Sequence, residues 1–239
     1  MAHDLEKPRS DDELYRARGA DELAGHRPIL TGDVFARVPF ILPDGQSKLR
    51  DLMVLQHPCS LRTNGVDLVP NLLVASVGDF KRLEDWRTHG SIMPLPSIRP
   101  DATNAKKRHQ SARFGDLHLV SSEQLTGKRI ACLSLPGVNL VLQRWVYYSS
   151  RVTVPTHDFN SVNISVFEEA DIIEEWCEDR QGDGISVEQA TRECVEWLRE
   201  EKGDAPMRQD LLKSDQHRSS IRREASKYRR SLRDLSKNV

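Results

Sequence analysis

Residues 31–77 read TGDVFARVPFILPDGQSKLRDLMVLQHPCSLRTNGVDLVPNLLVASV. The run from Asp33 to Leu42 holds Val34, Phe35, Val38, Phe40 and Ile41, and stops at Pro43-Asp44-Gly45, a turn whose positive-φ position glycine supplies. Leu52 to Gln56 is a continuous apolar strand, Thr63-Asn64-Gly65 marks a second turn, and Val66 to Val77 is the next run. Short apolar runs divided by turn residues are the pattern of an all-β barrel or sandwich. It returns downstream as Ile130 to Leu135, a Pro136-Gly137 turn, Val138 to Leu142 and Trp145 to Val154. These last three runs are predicted to form an antiparallel meander.

On either side of these runs the pattern weakens. Residues 1–27 mix charges with few apolar positions and read as a loose lead-in or one weak helix, with order beginning near Pro28. Residues 80–115 read as an insertion in a core spanning 28–167. Asp79 to Thr88 is predicted as a short helix, Pro94, Pro96 and Pro100 forbid regular structure nearby, and Lys106-Lys107-Arg108-His109 follows. Loops of this length often carry function.

Beyond Ser165 the chain becomes helical. Ser165 to Glu168 has capping-box spacing, followed by Ile172, Ile173, Trp176 and Cys177 on one face. Ser186 and Gln189 repeat the cap before Val187, Ala190, Cys194, Trp197 and Leu198, and the helix is predicted to stop at Gly203. Residues 168–204, an acidic helical pair, hold 14 Asp/Glu against 4 Lys/Arg, a net −10. Residues 205–239 form a basic helix or tail; from 207 onward 10 Lys/Arg face 4 Asp/Glu, a net +6. There Ile221, Ala225, Tyr228, Leu232 and Leu235 make a short coiled-coil-like seam, surrounded by Arg222, Arg223, Lys227, Arg229, Arg230 and Arg233. Two readings follow: the acidic and basic helices pair, within one chain or across a homodimer, or the tail meets nucleic acid or an acidic protein partner.

The 239 residues carry a formal net charge of −1, which argues against a uniformly basic nucleic-acid binder. No stretch nears the roughly 18 apolar residues of a membrane span, and the charged N-terminus lacks a secretory signal. Cys59, Cys132, Cys177 and Cys194 have no metal-type spacing and read as free thiols in a reducing cytoplasm. No Walker loop, dinucleotide fingerprint, H-E-x-x-H or G-x-S-x-G is present, so common nucleotide-hydrolysing, hydride-transfer and hydrolase classes have no support.

Thr31-Gly32-Asp33-Val34-Phe35, a turn, Arg50 before an apolar strand, and the run through Pro70 to Val77 together resemble the N-terminal half of the MazF/PemK-like toxin family. The resemblance covers roughly residues 31–77. It implies an α+β chain, mainly β with an α extension: a small SH3-like β-barrel, enlarged here by the insertion and followed by C-terminal helices. It also implies a dimer held inactive by an antitoxin, and metal-independent cleavage of single-stranded RNA without a cofactor. In such chemistry the ribose 2′-OH attacks the adjacent phosphate, and an arginine fork stabilises the charged phosphorus centre. Arg50 matches that arginine. Asp51 stands where the family has proline, and could divert the guanidinium into a salt bridge; Gln56 stands where it has Ser or Thr. His57 is the candidate proton-transfer group in its place. His57 and Cys59, two apart, would point to one side of an extended segment, though Pro58 disturbs the geometry; the pair reads as structural or hydrogen-bonding, as part of a binding site, or as a Cys/His nucleophile or metal pair.

Other candidates are Arg144, Tyr148 and Arg151. On a strand they could hold phosphates and stack bases, as basic residues flanking Tyr147 and Tyr148. The plainer alternative has Trp145 and Tyr147 packing one face while Arg144 and Tyr148 face solvent. In the tail the nucleic-acid candidates are Arg222, Arg223, Arg229 and Arg230. His118 and His157 stand alone without ligand spacing, and no metal site is expected.

Overall fold

The computed structural model describes residues 4–19, 23, 25–41, 46–63, 67–104, 108–201, 203 and 205–236. The predicted turns at Pro43-Asp44-Gly45 and Asn64-Gly65, and the pair Lys106-Lys107, lie outside the described residues. The chain is α+β and divides into two units, Met1–Gly25 with Ile29–Asn160 and His26–Pro28 with Ser161–Val239.

The first unit is built on β1 (Tyr15–Arg18), β2 (Val34–Ile41), β3 (Ser47–Val54), β6 (Leu72–Asp79), β7 (Ile92–Leu95), β8 (Gln110–Val120) and β9 (Arg129–Leu133), with β4 (Arg62–Thr63) and β5 (Asp67–Leu68) as a separate two-stranded ribbon. The seven strands form one antiparallel sheet in the order β1-β9-β2-β3-β6-β8-β7. Side chains draw its two edges together. The Tyr15 hydroxyl on β1 donates to the Pro96 carbonyl just past β7, at 2.9 Å, and Ser97 Oγ donates to Asp11 at 3.1 Å. The sheet is therefore a half-barrel, with Val34, Phe35, Val38, Leu52, Leu72, Val74 and Phe114 buried within the unit.

Three segments depart from the sequence reading. The lead-in is held in place: Leu5 is buried, the Glu6 N–H donates to Gln143 Oε1 at 2.7 Å, and Tyr15–Arg18 is an edge strand. The insertion contains β7 and the start of β8. Pro94 fits because β7 has one hydrogen-bonded neighbour, so a missing N–H can face away from the ladder. The helix predicted at Asp79–Thr88 does not form. Asp85 instead accepts from the Arg87 N–H and guanidinium at 3.0 Å, a local turn that competes with helix.

Among the described residues there are six helices: α1 (Ser122–Leu125), α2 (Leu135–Ser150), α3 (Thr156–Gly182), α4 (Val187–Leu198), α5 (Arg208–Leu211) and α6 (Asp215–Ser236). Helix α2 replaces the last two predicted strands of the meander. Ser134 is its N-cap, accepting from the Gly137 N–H at 3.1 Å, and Pro136 lies in the first turn, where its missing N–H is not needed. Every residue from Gly137 to Arg144 is buried, so the helix shows no polar face and imitates a buried strand. Arg151 ends it in the left-handed region at φ 63°, donating to the Tyr147 carbonyl at 2.8 Å.

Gly137 serves a close approach rather than a turn: a Cβ there would lie 2.3 Å from the Leu14 carbonyl oxygen. Backbone cannot move aside cheaply, so Gly137→Ala is expected to cost about 1–3 kcal/mol. The urea midpoint measures this, and an unchanged midpoint would contradict the packing.

Helix α3 begins at Thr156, so Ser165 lies inside the helix rather than capping it. Ser186 does cap α4, its Oγ accepting from the Gln189 N–H at 3.2 Å, and α4 ends at Leu198, ahead of Gly203. Trp176, Cys177, Cys194, Trp197, Ile221 and Ala225 share one buried cluster, which Tyr228 edges through ring contacts of 5.7 Å to Trp176 and 6.1 Å to Trp197. The basic seam thus packs against helices of its own chain.

Candidate functional site

Two irregularities in the sheet place the candidate chemistry. Phe35 pairs with Leu52 and Val38 with Arg50, so Ala36 and Arg37 stand opposite Asp51 alone. Arg37 takes the left-handed region (φ 53°), and its N–H donates to Asp51 Oδ1 at 2.9 Å. On the other side Ala75 pairs with Leu117 and Val77 with Ala112, which sets Arg113 to Asp116 opposite Ser76. Bulges of this kind re-aim side chains and recur beside active sites. Arg50 on β3 and Ser76 on β6 lie between the two.

Arg50, Ser76, Asp116 and His118 converge there. Arg50 Nη1 donates to Asp116 Oδ2 at 2.8 Å and Ser76 Oγ at 2.9 Å, and lies 3.5 Å from His118 Nε2. His118 Nε2 is 2.9 Å from Ser76 Oγ and 3.0 Å from Asp116 Oδ1. When Nε2 carries a proton it can donate to the Asp116 carboxylate, which only accepts. The His118 ring rests on Phe40 with centroids 4.2 Å apart, and Arg50 Cζ lies 5.7 Å from the same ring centroid. Partial burial alone would raise the Asp116 pKa, but the Ser76 hydroxyl and the charges of Arg50 and His118 outweigh it and hold the carboxyl below its ordinary value.

All contacts of the Arg50 side chain with polar groups run through Nη1, which leaves its Nε–Nη2 edge without a hydrogen-bond partner among the described residues. That edge is the planar fork that grips phosphate oxygens in pairs. Arg50 lines a cleft of about 390 Å³ together with Leu49, Ser76, Asp79, Arg113, Asp116 and their neighbours. Arginine, carboxylate and hydroxyl line this cleft and the largely buried imidazole of His118 touches all three, a set that can bind an anion and transfer a proton beside it.

The other sequence candidates lie elsewhere. Asp51 does not divert Arg50: it accepts from Arg99 at 2.7 Å, and Asp116 makes the ion pair instead. Gln56 orders the turn after β3, donating to Ser60 O at 3.1 Å and Ser60 Oγ at 3.0 Å and accepting from the Leu73 N–H at 3.3 Å. His57 caps the 3₁₀ turn Pro58–Ser60, its Nδ1 accepting from the Cys59 N–H at 3.2 Å, so His57 and Cys59 do not lie in one extended segment. Desolvation lowers the His57 pKa. All four cysteines are free thiols, with Cys59 exposed and the others buried.

Arg144 is fully buried on helix α2, where its guanidinium donates to the carbonyls of His89 and Glu6 at 3.0 Å and Trp86 at 3.1 Å. Burial brings its pKa down to about 10. Tyr148 stacks on Trp145 at 5.9 Å and meets Phe114 at 5.8 Å, while Arg151, exposed at the helix end, reaches the Tyr147 ring at 5.8 Å. These residues belong to a helix and its aromatic packing rather than to a strand that presents bases.

In the tail, Arg222 pairs with Glu168 at 2.6 Å, Glu175 at 3.0 Å and Asp171 at 3.2 Å. Arg229 pairs with Glu175 at 3.2 Å and Asp179 at 2.8 Å, and Arg233 with Asp179 at 3.1 Å. Of the two readings of the charge asymmetry, the described contacts are those of pairing within one chain. Arg223, Lys227 and Arg230 remain exposed.

Sequence reasoning passed over Ser76, Asp116 and His118. The available signal was the spacing: Asp116 and His118 are two apart on one strand and so share a face. No helix of the described residues is long and apolar enough to cross a membrane. No protein-family model matches the chain, and no curated protein sequence matches it.

Proposed function

We propose that this cleft cleaves single-stranded RNA without a metal ion, with Arg50 as the phosphate clamp and His118, rather than His57, as the proton donor. The observation that carries the reading is the convergence of Arg50, Ser76, Asp116 and His118 within 3.5 Å, with one edge of the Arg50 fork unused. The ribose 2′-oxygen forms its bond to phosphorus and releases its proton to water. The bond from phosphorus to the 5′-oxygen breaks, and that oxygen takes a proton from Nε2 of the His118 imidazolium, which is left as neutral imidazole. Arg50 holds the non-bridging oxygens as charge builds on them. Asp116 and Ser76 orient the ring. The products are a 2′,3′-cyclic phosphate and a free 5′-hydroxyl.

The resemblance over residues 31–77 supports the same reaction, with a cytoplasmic setting, a homodimer and an antitoxin-like protein as partner. The alternative, a non-catalytic barrel that binds nucleic acid or protein through its basic tail, loses ground because Arg222 and Arg229 are engaged with carboxylates of their own unit. Arg50→Ala is expected to lower single-turnover cleavage of a mixed-sequence RNA, in chelator, by about 100- to 1,000-fold. Equal cleavage by wild type and variant would remove Arg50 from the chemistry.

A further inference from the structure

We infer that Arg113 is a second phosphate contact, so that the cleft takes a chain of at least two successive phosphodiesters rather than a mononucleotide. This rests on the reading of the cleft as a nucleic-acid site. Arg113 belongs to the residues of β8 that bulge opposite Ser76, and it lines the same cleft as Arg50. The bulge that brings Asp116 to the Arg50 cluster therefore also delivers a second guanidinium. Its Nη2 lies across Gly78, only 3.3 Å from where a Cβ would stand, so the glycine leaves room for the guanidinium against the cleft floor.

Two of the three carboxylates lining the cleft are already engaged by other arginines. Asp51 is engaged by Arg99 at 2.7 Å and by the Arg37 N–H. Asp116 is engaged by Arg50 and His118, and Asp79 accepts from Gln110 Nε2 at 3.5 Å. Arg113 is exposed and has no ion pair or hydrogen bond among the described residues. An exposed guanidinium without a carboxylate partner loses little when it meets a phosphate and gains a charge-assisted pair. Gln110, 6% exposed in the same wall, keeps an Oε1 that has no hydrogen-bond partner among the described residues.

The test uses the full chain and 2′-deoxy oligonucleotides, which bind without being cleaved at the proposed 2′-OH step. Fluorescence anisotropy measures affinity for a labelled deoxy-octamer across salt concentrations, and competition measures a nucleoside 3′-monophosphate. Arg113→Gln is expected to weaken the octamer about 10-fold, to flatten the log–log salt slope by about 0.7, the share of one phosphate on a single strand, and to leave the monophosphate unchanged. Arg113→Lys is expected to restore much of the salt slope. Wild-type and Arg113→Gln proteins of equal octamer affinity would overturn the inference, as would failure of the wild type to bind the octamer. Because cleavage is not the readout, an Arg50 variant that cleaves RNA normally would sink the catalytic reading and leave the Arg113 result standing.

Discussion

Replacing His118 with alanine is expected to reduce RNA cleavage by about 100- to 10,000-fold, the range that a positioned acid or base contributes. The loss should fall on the chemical step and leave RNA affinity nearly unchanged, because Arg50 keeps its place between Ser76 and Asp116. His57→Ala provides the contrast. That side chain caps a 3₁₀ turn, so its removal is expected to cost a cap and little activity. Single-turnover rates and filter-binding affinities on the same RNA separate the two. A His118 variant of wild-type rate would remove it from catalysis.

The pH dependence follows from Asp116. Its folded-state pKa is lowered, so the stabilisation it provides is complete above the ordinary aspartate value of 3.8 and disappears as pH falls through the folded value. The ion pair with Arg50 is therefore intact through neutral and mildly acidic solution. Any loss of rate well above pH 4 then arises from a group other than Asp116, and Asp116→Asn should leave such a limb in place while lowering the rate.

The largest effect on stability is expected at Arg144. The carbonyls of His89, Glu6 and Trp86 all accept from one buried guanidinium, which also lies 4.9 Å from the Trp86 ring centroid. Arg144→Leu keeps much of the volume and removes every donor. Hydrogen bonds from a charged donor contribute about 1 kcal/mol or more each, even where the acceptor is partly exposed, so a loss of about 3 kcal/mol is expected. Urea unfolding followed by circular dichroism reads it directly. The same variant should bind nucleic acid as the wild type does while folded, since Arg144 is not exposed. A stable Arg144→Leu protein with weakened RNA binding would return Arg144 to the binding surface.

The sheet was legible where its strands alternate or end in turn residues, as β2, β3 and β6 do. Helix α2 was not, because Val138 to Arg144 is buried all round and Pro136-Gly137 marks a helix start as readily as a turn. Strand β7 was hidden by Pro94, which only an edge position tolerates. At the site, Arg50 could be chosen from its place before an apolar strand. Its partners could not, since Ser76, Asp116 and His118 are 26 to 68 residues away along the chain and meet it only across β6 and β8. His57 drew attention through nearness in sequence, yet nearness along an extended strand carries a side chain away from the cluster at about 3.3 Å per residue. The acid–base asymmetry of the C-terminal helices was plain in composition. Whether those charges faced each other depended on packing around Trp176, which composition does not encode.

The most direct measurement is the chemistry of the cleaved ends. An RNA octamer incubated with the protein in chelator, with mass spectrometry of the fragments, should yield 2′,3′-cyclic phosphate and 5′-hydroxyl termini. A matched octamer with a single 2′-deoxy nucleotide should be spared at that position alone. Fragments ending in 3′-hydroxyl and 5′-phosphate, or cutting that ignores the 2′-deoxy position, would contradict the assignment of Arg50 and His118 to attack by the ribose hydroxyl.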